Sequence, residues 1–271
     1  MGAQEVRPPA VAGLFYPGQG AELRSAVDAL LVSATTDTAD GTLKLLVVPH
    51  AGYAYSGRIA AAAYSLLAAR RHAIRRVVLL GPTHRVAVRG IAIPSVEAFA
   101  TPLGLVPVDR ATVGHLAGLA GVLVSDAAHA TEHSLEVQLP FLQTVLDDFT
   151  LVPLAVGNVA DADVTRVLEE LWDGDETVVI ISSDLSHYHS YRSAQVSDRG
   201  AVDRILALAS GLNHDQACGA TPINGALAIA RARGLRPRLL AMCNSGDTSG
   251  DRDRVVGYCS IAMEQPVHAT P

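Results

Sequence analysis

The sequence predicts an α/β protein in which a central, mostly parallel or mixed sheet is flanked by helices, folded as a single domain over residues 1–271. Short runs of Val, Ile and Leu recur along the chain at strand length, and segments with helical patterning lie between several of them. No linker, repeat or change of composition divides the chain. Strands that alternate with helices are typical of sheets covered on both faces.

Several apolar runs are predicted to be buried strands. They are rich in β-branched residues and leucine and end at turn or polar residues, as strands buried on both faces do. These runs are Leu45 to Val48, Val77 to Leu80, Leu151 to Val156, Val178 to Ile181, Leu239 to Met242 and Val255 to Ile261. The stretch from Arg89 to Asp109 is interrupted by prolines, and we expect a hairpin-like excursion of two short extended pieces there.

One helix is marked by signals at both of its ends. Thr221 and Pro222 predict an N-cap and first turn for a helix over Ile223 to Arg233, and Gly234 is expected to stop it.

Other helices are expected on similar grounds. Thr131 is predicted to cap a helix from about Glu132 to Leu146, and Asp161 to cap one that ends near Trp172. The Ala-rich segment from Gly57 to Arg71 has helical periodicity.

Charge and cysteine content exclude several classes of function. The net charge is −6 with no basic stretch, so neither nucleic acid nor an anionic membrane surface is an expected partner.

No apolar run approaches the roughly 20 residues of a membrane-spanning helix, and the N-terminus does not resemble a signal peptide. The 3 cysteines lack CxxC spacing, which favours free thiols in a reducing compartment and hence a cytoplasmic location. No nucleotide-binding fingerprint is present.

Polar clusters follow three of the predicted strands directly. His50 follows the first run, His84 the second, and Asp184 with His187 follow the run from Val178 to Ile181. Ligands of open α/β sheets bind beyond the carboxyl ends of the strands, so these clusters are expected to converge on one cleft.

Imidazoles are common ligands of zinc, copper and iron, and glycine or proline beside His50 and His84 allows each ring to turn inward. Either histidine alone is as well explained as a hydrogen-bonded strand end, but two in equivalent positions favour a metal site.

Asp184 and His187 are close enough in sequence to lie side by side. Such a pair can act as a base and its orienting group, or can support a ligating histidine. The alternative is a helix-capping aspartate beside a surface histidine.

Glu132 is explained by its predicted place at a helix start, where a carboxylate is favoured. His133 is a candidate proton donor in the cleft.

Cys218 precedes a predicted helix start, where the helix end and a nearby metal are expected to lower its pKa and make it a ligand or nucleophile. Cys243 is the alternative candidate for the thiol ligand. Cys259 is predicted to be a buried residue of a strand.

Taken together, a set of sequence blocks resembles the Memo family. The blocks are Arg7 to Pro17, the loops of His50 and His84, Glu132 to Phe141, Ser182 to His187, and Cys218-Gly219. The resemblance implies a fold like that of the class III extradiol dioxygenases. It also implies a metal held by His50, His84 and Cys218, with Asp184 and His187 beside it. Bacterial members resemble protein B of the AmmeMemoRadiSam system, which implies association with a radical-SAM protein.

Three hypotheses for function follow. The leading one is a redox protein with one iron or copper ion at His50, His84 and Cys218, in which Asp184 with His187 or His133 moves protons. A thiolate in place of the dioxygenase carboxylate makes ring cleavage doubtful. The second is a peptide- or partner-binding module that uses Arg58 and Arg85. The third is a metallohydrolase with zinc-activated water.

Overall fold

The computed structural model describes residues 5–34, 41–248 and 250–266. The strands are β1 Val6–Arg7, β2 Gly41–Val48, β3 Arg76–Pro82, β4 Ile91–Ile93, β5 Ala98–Thr101, β6 Gly104–Pro107, β7 Val122–Val124, β8 Thr150–Val156, β9 Thr177–Ser182, β10 His187–His189, β11 Arg236–Asn244 and β12 Val255–Pro266. The helices are α1 Gly20–Ser33, α2 Tyr53–Ala68, α3 Arg110–Leu116, α4 Asp126–Ala130, α5 Leu139–Val145, α6 Asp161–Leu171, α7 Tyr191–Leu206 and α8 Ala220–Ala232.

In the described part of the chain, nine strands form a mixed sheet in the order β10-β12-β2-β9-β3-β8-β4-β7, with β11 paired to β12. The centre is parallel, since β9 pairs in parallel with β2 and β3, and β3 pairs in parallel with β8. The pairings of β12 with β2 and of β4 with β8 are antiparallel. The predicted α/β class with a mixed sheet flanked by helices is confirmed.

All of the apolar runs predicted to be strands form strands. They correspond to β2, β3, β8, β9, β11 and β12. The central strands are buried along nearly their whole length because helices cover both faces of the sheet. The side chains of the sheet and its helices form a continuous hydrophobic core that runs from Val11 to Met263.

The expected hairpin between Arg89 and Asp109 is present as the antiparallel pair β5 and β6. It belongs to a separate small sheet with β1. The same stretch holds an additional strand, β4, which joins the main sheet.

All four predicted helix starts differ from the structure: α2 begins at Tyr53 and not at Gly57, α6 has Ala160 and not Asp161 as its N-cap, and the other two differ as follows. The helix α8 begins at Ala220 with Gly219 at its N-cap, so Thr221 lies inside the first turn, and its Oγ1 contacts Nε2 of His214 at 3.2 Å. The predicted end is correct, since Gly234 follows the helix with a φ of +66°. The helix expected from Glu132 begins only at Leu139, after a 3-10 turn over Glu136–Gln138.

The N-terminal segment is tied to the chain around residue 132 by a buried ion pair. Arg7 and Glu136 are both almost fully buried, and Nη1 of Arg7 contacts Oε2 of Glu136. Arg7 also donates to the carbonyl oxygens of His129 and Glu132 at 2.8 and 2.7 Å. Glu136 accepts further hydrogen bonds from the backbone of Ala10 and from the Tyr16 hydroxyl.

None of the helices in the described ranges is both long and apolar enough to cross a membrane.

Candidate metal centre

Three neighbouring parallel strands place their carboxyl ends at one edge of the sheet. His50 follows β2, Asp184 follows β9, and His84 follows β3. Because β9 lies between β2 and β3 in the sheet, the loop that carries Asp184 leaves the sheet between the loops that carry the two histidines. The sequence-based expectation that these clusters meet at one edge agrees with this topology.

Three histidine rings come together at this edge. The ring centroids of His50 and His84 are 5.1 Å apart, and that of His133 lies 5.4 Å from His50 and 4.7 Å from His84. One ring nitrogen from each of the three lies within 4.8 Å of the others, which is close enough for a shared metal ion. His50 is buried, His133 is half-buried and His84 is exposed, so the group is reachable from solvent on one side.

Glu132 holds the His84 loop in place. Its buried carboxylate accepts hydrogen bonds from the backbone amide of His84 at 2.5 Å and from Nδ1 of His84 at 2.9 Å. A carboxylate can only accept, so Nδ1 of His84 carries the proton and Nε2 keeps a free lone pair. A histidine that donates one ring nitrogen to a carboxylate and offers the other to a metal is a common arrangement in metal sites.

The same carboxylate shapes the chain that carries His133. Oε1 of Glu132 accepts from the backbone amides of His133 and Ser134, both at 2.9 Å. These contacts fix the backbone on both sides of His133, and the helix begins further along the chain, at Leu139. Nδ1 of His133 lies 3.2 Å from Oε1, although no hydrogen bond forms with this nitrogen in the described structure.

Burial by itself would raise the pKa of Glu132, but contacts from His133 and His84 outweigh it and hold this pKa well below its usual range. Glu132 is therefore a stable anion, and it supplies negative charge beside imidazoles that can bind a cation. Sequence reasoning explained Glu132 by a helix dipole and missed this role. The only available signal was its position directly before His133.

Cys218 lies beside His50 but outside the three-histidine group. Its Sγ is 3.3 Å from Nε2 of His50 and 3.3 Å from the backbone nitrogen of Asp184. The rival thiol Cys243 lies on β11, opposite Tyr258, and lines a groove with Met242. The structure therefore places Cys218, and not Cys243, next to the histidines.

The expected lowering of the Cys218 pKa does not occur in the protein alone. Burial raises the pKa of the Cys218 thiol to about 12, and the negative charge of Asp184 acts in the same direction. Hydrogen bonds from the Ser183 side chain and from the backbone of Asp184 and Gly219 act in the opposite direction but do not offset burial. Formation of a thiolate at neutral pH therefore requires a bound cation.

Asp184 and His187 are not paired as the sequence suggested. Oδ1 of Asp184 accepts from the backbone amide of His50 at 2.7 Å, and its Oδ2 lies 4.0 Å from Nε2 of His50. Burial raises the pKa of Asp184 to about 7. His187 is half-buried on the short strand β10, and no hydrogen bond or ion pair joins it to Asp184 in the described residues. Their proposed roles stay predictions.

The N-terminal segment forms one wall of the site. The ring of Phe15 packs against His133 with a centroid distance of 4.8 Å. The backbone oxygen of Phe15 accepts from the amide of Tyr53, three residues after His50. The contact between Phe15 and His133 could not be predicted, because these residues are more than a hundred positions apart in sequence.

The two arginines of the binding-module hypothesis are both exposed. Arg85 directly follows His84, and Arg58 lines a groove with Tyr55 and Cys243. Their role in binding a partner stays a prediction.

The donor set fits a transition-metal ion. Imidazole nitrogen suits zinc, copper and iron, and a thiol that loses its proton to a cation adds a softer ligand. The ring of His84 is already supported by Glu132, and the backbone of His50 is held by Asp184. The arrangement defines a class of protein: an α/β protein with a solvent-accessible imidazole cluster at the carboxyl edge of its sheet, able to hold a metal ion.

Comparison with known proteins agrees with this class and gives the family. The family described as Memo-like protein matches residues 7–262. The MEMO1 family protein MK0963 of Methanopyrus kandleri is 38% identical and covers 96% of this chain and 99% of its own length. A MEMO1 family protein of Archaeoglobus fulgidus is 35% identical, with 95% and 99% covered. The chain belongs to the Memo family.

A solved structure supports the fold. The crystal structure of uncharacterized protein JW3007 from Escherichia coli K12 superposes with a TM-score of 0.57 at 13% identity, over 81% of this chain and 99% of that chain. At this identity the likeness extends to the fold alone.

Proposed function

We propose that this protein is a metal-dependent redox protein that holds one iron or copper ion at the carboxyl edge of its sheet. His50 and His84 would hold the ion, together with Cys218 or His133. The observation that carries the proposal is the convergence of the three imidazoles within 4.8 Å, with the Cys218 sulfur 3.3 Å from His50. Iron and copper both accept nitrogen and sulfur ligands and supply one-electron chemistry when bound.

The residues around the ion would bind it, orient its ligands and move protons. Glu132 fixes His84, and the exposed edge of His84 leaves a direction from which a small molecule can approach. Asp184 is buried with its Oδ2 4.0 Å from Nε2 of His50, and it is one candidate to hold or release a proton. His187 and His133 are the other candidates for proton transfer.

Elemental analysis of anaerobically purified protein tests the proposal. We expect close to one equivalent of iron or copper in the wild type, a large loss in His50→Ala, and a loss in Cys218→Ala. His115→Ala is the matched control, because His115 is an exposed histidine that pairs with the surface residue Glu170. Wild-type protein without metal, or equal metal in His50→Ala and His115→Ala, would remove the proposal.

A zinc-dependent hydrolase is the second candidate. It is favoured by the three-histidine group, since catalytic zinc sites typically have three protein ligands and an open position for water. The same elemental analysis separates the two functions, because zinc has no redox chemistry. Stoichiometric zinc, with no iron or copper, would select the hydrolase.

The cysteine pattern supports a cytoplasmic location, and the family resemblance supports association with a radical-SAM protein, as parts of this proposal. Copurification of such a partner with a tagged chain, under anaerobic conditions, is the direct test.

A further inference from the structure

A buried chain of hydrogen bonds runs from Tyr64 to His50 behind the metal centre. Its members are Tyr64 on α2, Gln138 in the 3-10 turn, Ser182 at the end of β9, and His50 after β2. All four side chains are at most 2% exposed. Solvent water therefore cannot rearrange their hydrogen bonds, and each donor and acceptor can be assigned from its neighbours.

The orientation of the Gln138 amide is fixed at both of its ends. Its nitrogen lies 2.9 Å from the carbonyl oxygen of Pro49, which can only accept. Its oxygen accepts from the Tyr64 hydroxyl at 2.9 Å. The amide nitrogen must therefore be the atom that contacts Ser182 Oγ, at 2.8 Å, and it donates there.

The Ser182 hydroxyl has one proton and three polar neighbours. It lies 2.5 Å from the carbonyl oxygen of Ser134, which accepts this proton. The amide of Gln138 donates to the hydroxyl oxygen, so the contact to Nδ1 of His50 at 3.0 Å needs its proton from the ring.

The opposite face of the ring agrees with this assignment. Sγ of Cys218 accepts from the backbone amide of Asp184 at 3.3 Å. Its S–H has two acceptors in reach, Nε2 of His50 at 3.3 Å and the carbonyl oxygen of Asp184 at 3.6 Å, so the thiol can donate to Nε2. An Nε2 that accepts a proton is an unprotonated nitrogen.

We propose that Tyr64, Gln138 and Ser182 are positioning residues that lock His50 in the tautomer with the proton on Nδ1, so that only Nε2 can bind a metal. Glu132 fixes the tautomer of His84 through a charged carboxylate. The three residues would fix the tautomer of His50 in the same way, but they are neutral and add no charge. The link between this tautomer and metal binding rests on the proposed function, whereas the tautomer itself is a property of the metal-free protein.

The first test is nitrogen-15 NMR of the histidine rings in metal-free wild-type protein. The His50 signals are identified by their loss in His50→Gln. We expect Nδ1 of His50 to carry the proton and Nε2 to be unprotonated. A proton on Nε2, or a mixture of the two tautomers, overturns the proposal. The wild type is sufficient for this test, so it does not depend on the folding of a variant.

The second test removes the acceptor. In Ser182→Ala we expect His50 to become a mixture of tautomers and the affinity for added metal to fall 10- to 100-fold, as is typical when support of a ligand is lost. Ser260→Ala is the matched control, since Ser260 is equally buried and its hydroxyl also donates to a carbonyl, that of Ile59. An unchanged His50 tautomer in folded Ser182→Ala overturns the proposal.

The two proposals can fail separately. A wild-type protein with the Nδ1 proton that binds no metal supports the lock and removes the redox function. If the protein binds metal but its metal-free form carries the proton on Nε2 of His50, the tautomer proposal is overturned and the proposed function is not.

Discussion

The carboxylate of Glu132 accepts hydrogen bonds from both the backbone and the ring of His84, at 2.5 and 2.9 Å. This double contact connects two segments 48 residues apart in sequence. It fixes both the loop after β3 and the orientation of the His84 imidazole.

Glu132→Gln is expected to lower metal affinity 10- to 100-fold, because the amide cannot replace the charged acceptor and directs a donor toward backbone N–H groups. Competition with a chelator of known affinity measures this. Glu170→Gln is the control, because it alters a carboxylate 3.4 Å from the exposed His115. Equal affinities in the two variants would contradict the assigned role of Glu132.

Gly219→Ala should displace the Cys218 loop. A Cβ at residue 219 would lie 2.7 Å from Cβ of Ser183, at the end of β9, so one of the two segments must move. Overpacking of this kind costs about 1–3 kcal/mol, and we expect weaker metal binding with it. Chemical denaturation and metal titration measure the two effects.

Gly200→Ala is the matched glycine control for this variant. Gly200 lies within α7, and an added Cβ meets nothing within 4 Å. Alanine is favoured over glycine in a helix by about 1 kcal/mol, so this control should be as stable as the wild type or more so. A Gly219→Ala protein with the same stability and affinity as Gly200→Ala would argue against the close packing.

Arg7→Met is predicted to destabilise the protein by about 3–5 kcal/mol, because it leaves the buried carboxylate of Glu136 without its cation. Arg71→Met removes an exposed arginine that contacts Asp147 at 2.7 Å, and should cost at most about 1 kcal/mol. Denaturant unfolding of the two variants gives the comparison. A similar small loss in both would mean that the buried pair contributes little.

His129 should make stability depend on pH. Burial lowers the pKa of His129 from 6.5 to about 4, and in the described structure its Nδ1 has no hydrogen-bond partner. Between these pH values the unfolded chain binds a proton that the folded protein does not, so the free energy of unfolding decreases as the pH falls. A shift of this size corresponds to about 3 kcal/mol.

The measurement is the free energy of unfolding of wild type and His129→Gln from pH 7 to pH 4. The stability of the wild type relative to the variant should fall by up to about 3 kcal/mol over this range. Parallel curves would show that the imidazole is not held neutral by burial.

The strands and the positions of His50 and His84 were predictable, because apolar runs and the residues that follow them are local features of the sequence. Glu132 and Ser182 were not recognised as parts of the site, since their roles depend on partners 48 and 132 residues away. The helix predicted to begin at Glu132 begins at Leu139, with Pro140 in its first turn.

The pairing of Arg7 with Glu136, 129 residues apart, also sets an order of events during synthesis. At about 5–20 residues per second, the N-terminal segment leaves the ribosome roughly 6–26 s before its partner exists. For that interval Arg7 lacks the carboxylate that it pairs with in the folded protein. The imidazole cluster likewise cannot form until His133 has left the ribosome, about halfway through synthesis of the 271-residue chain.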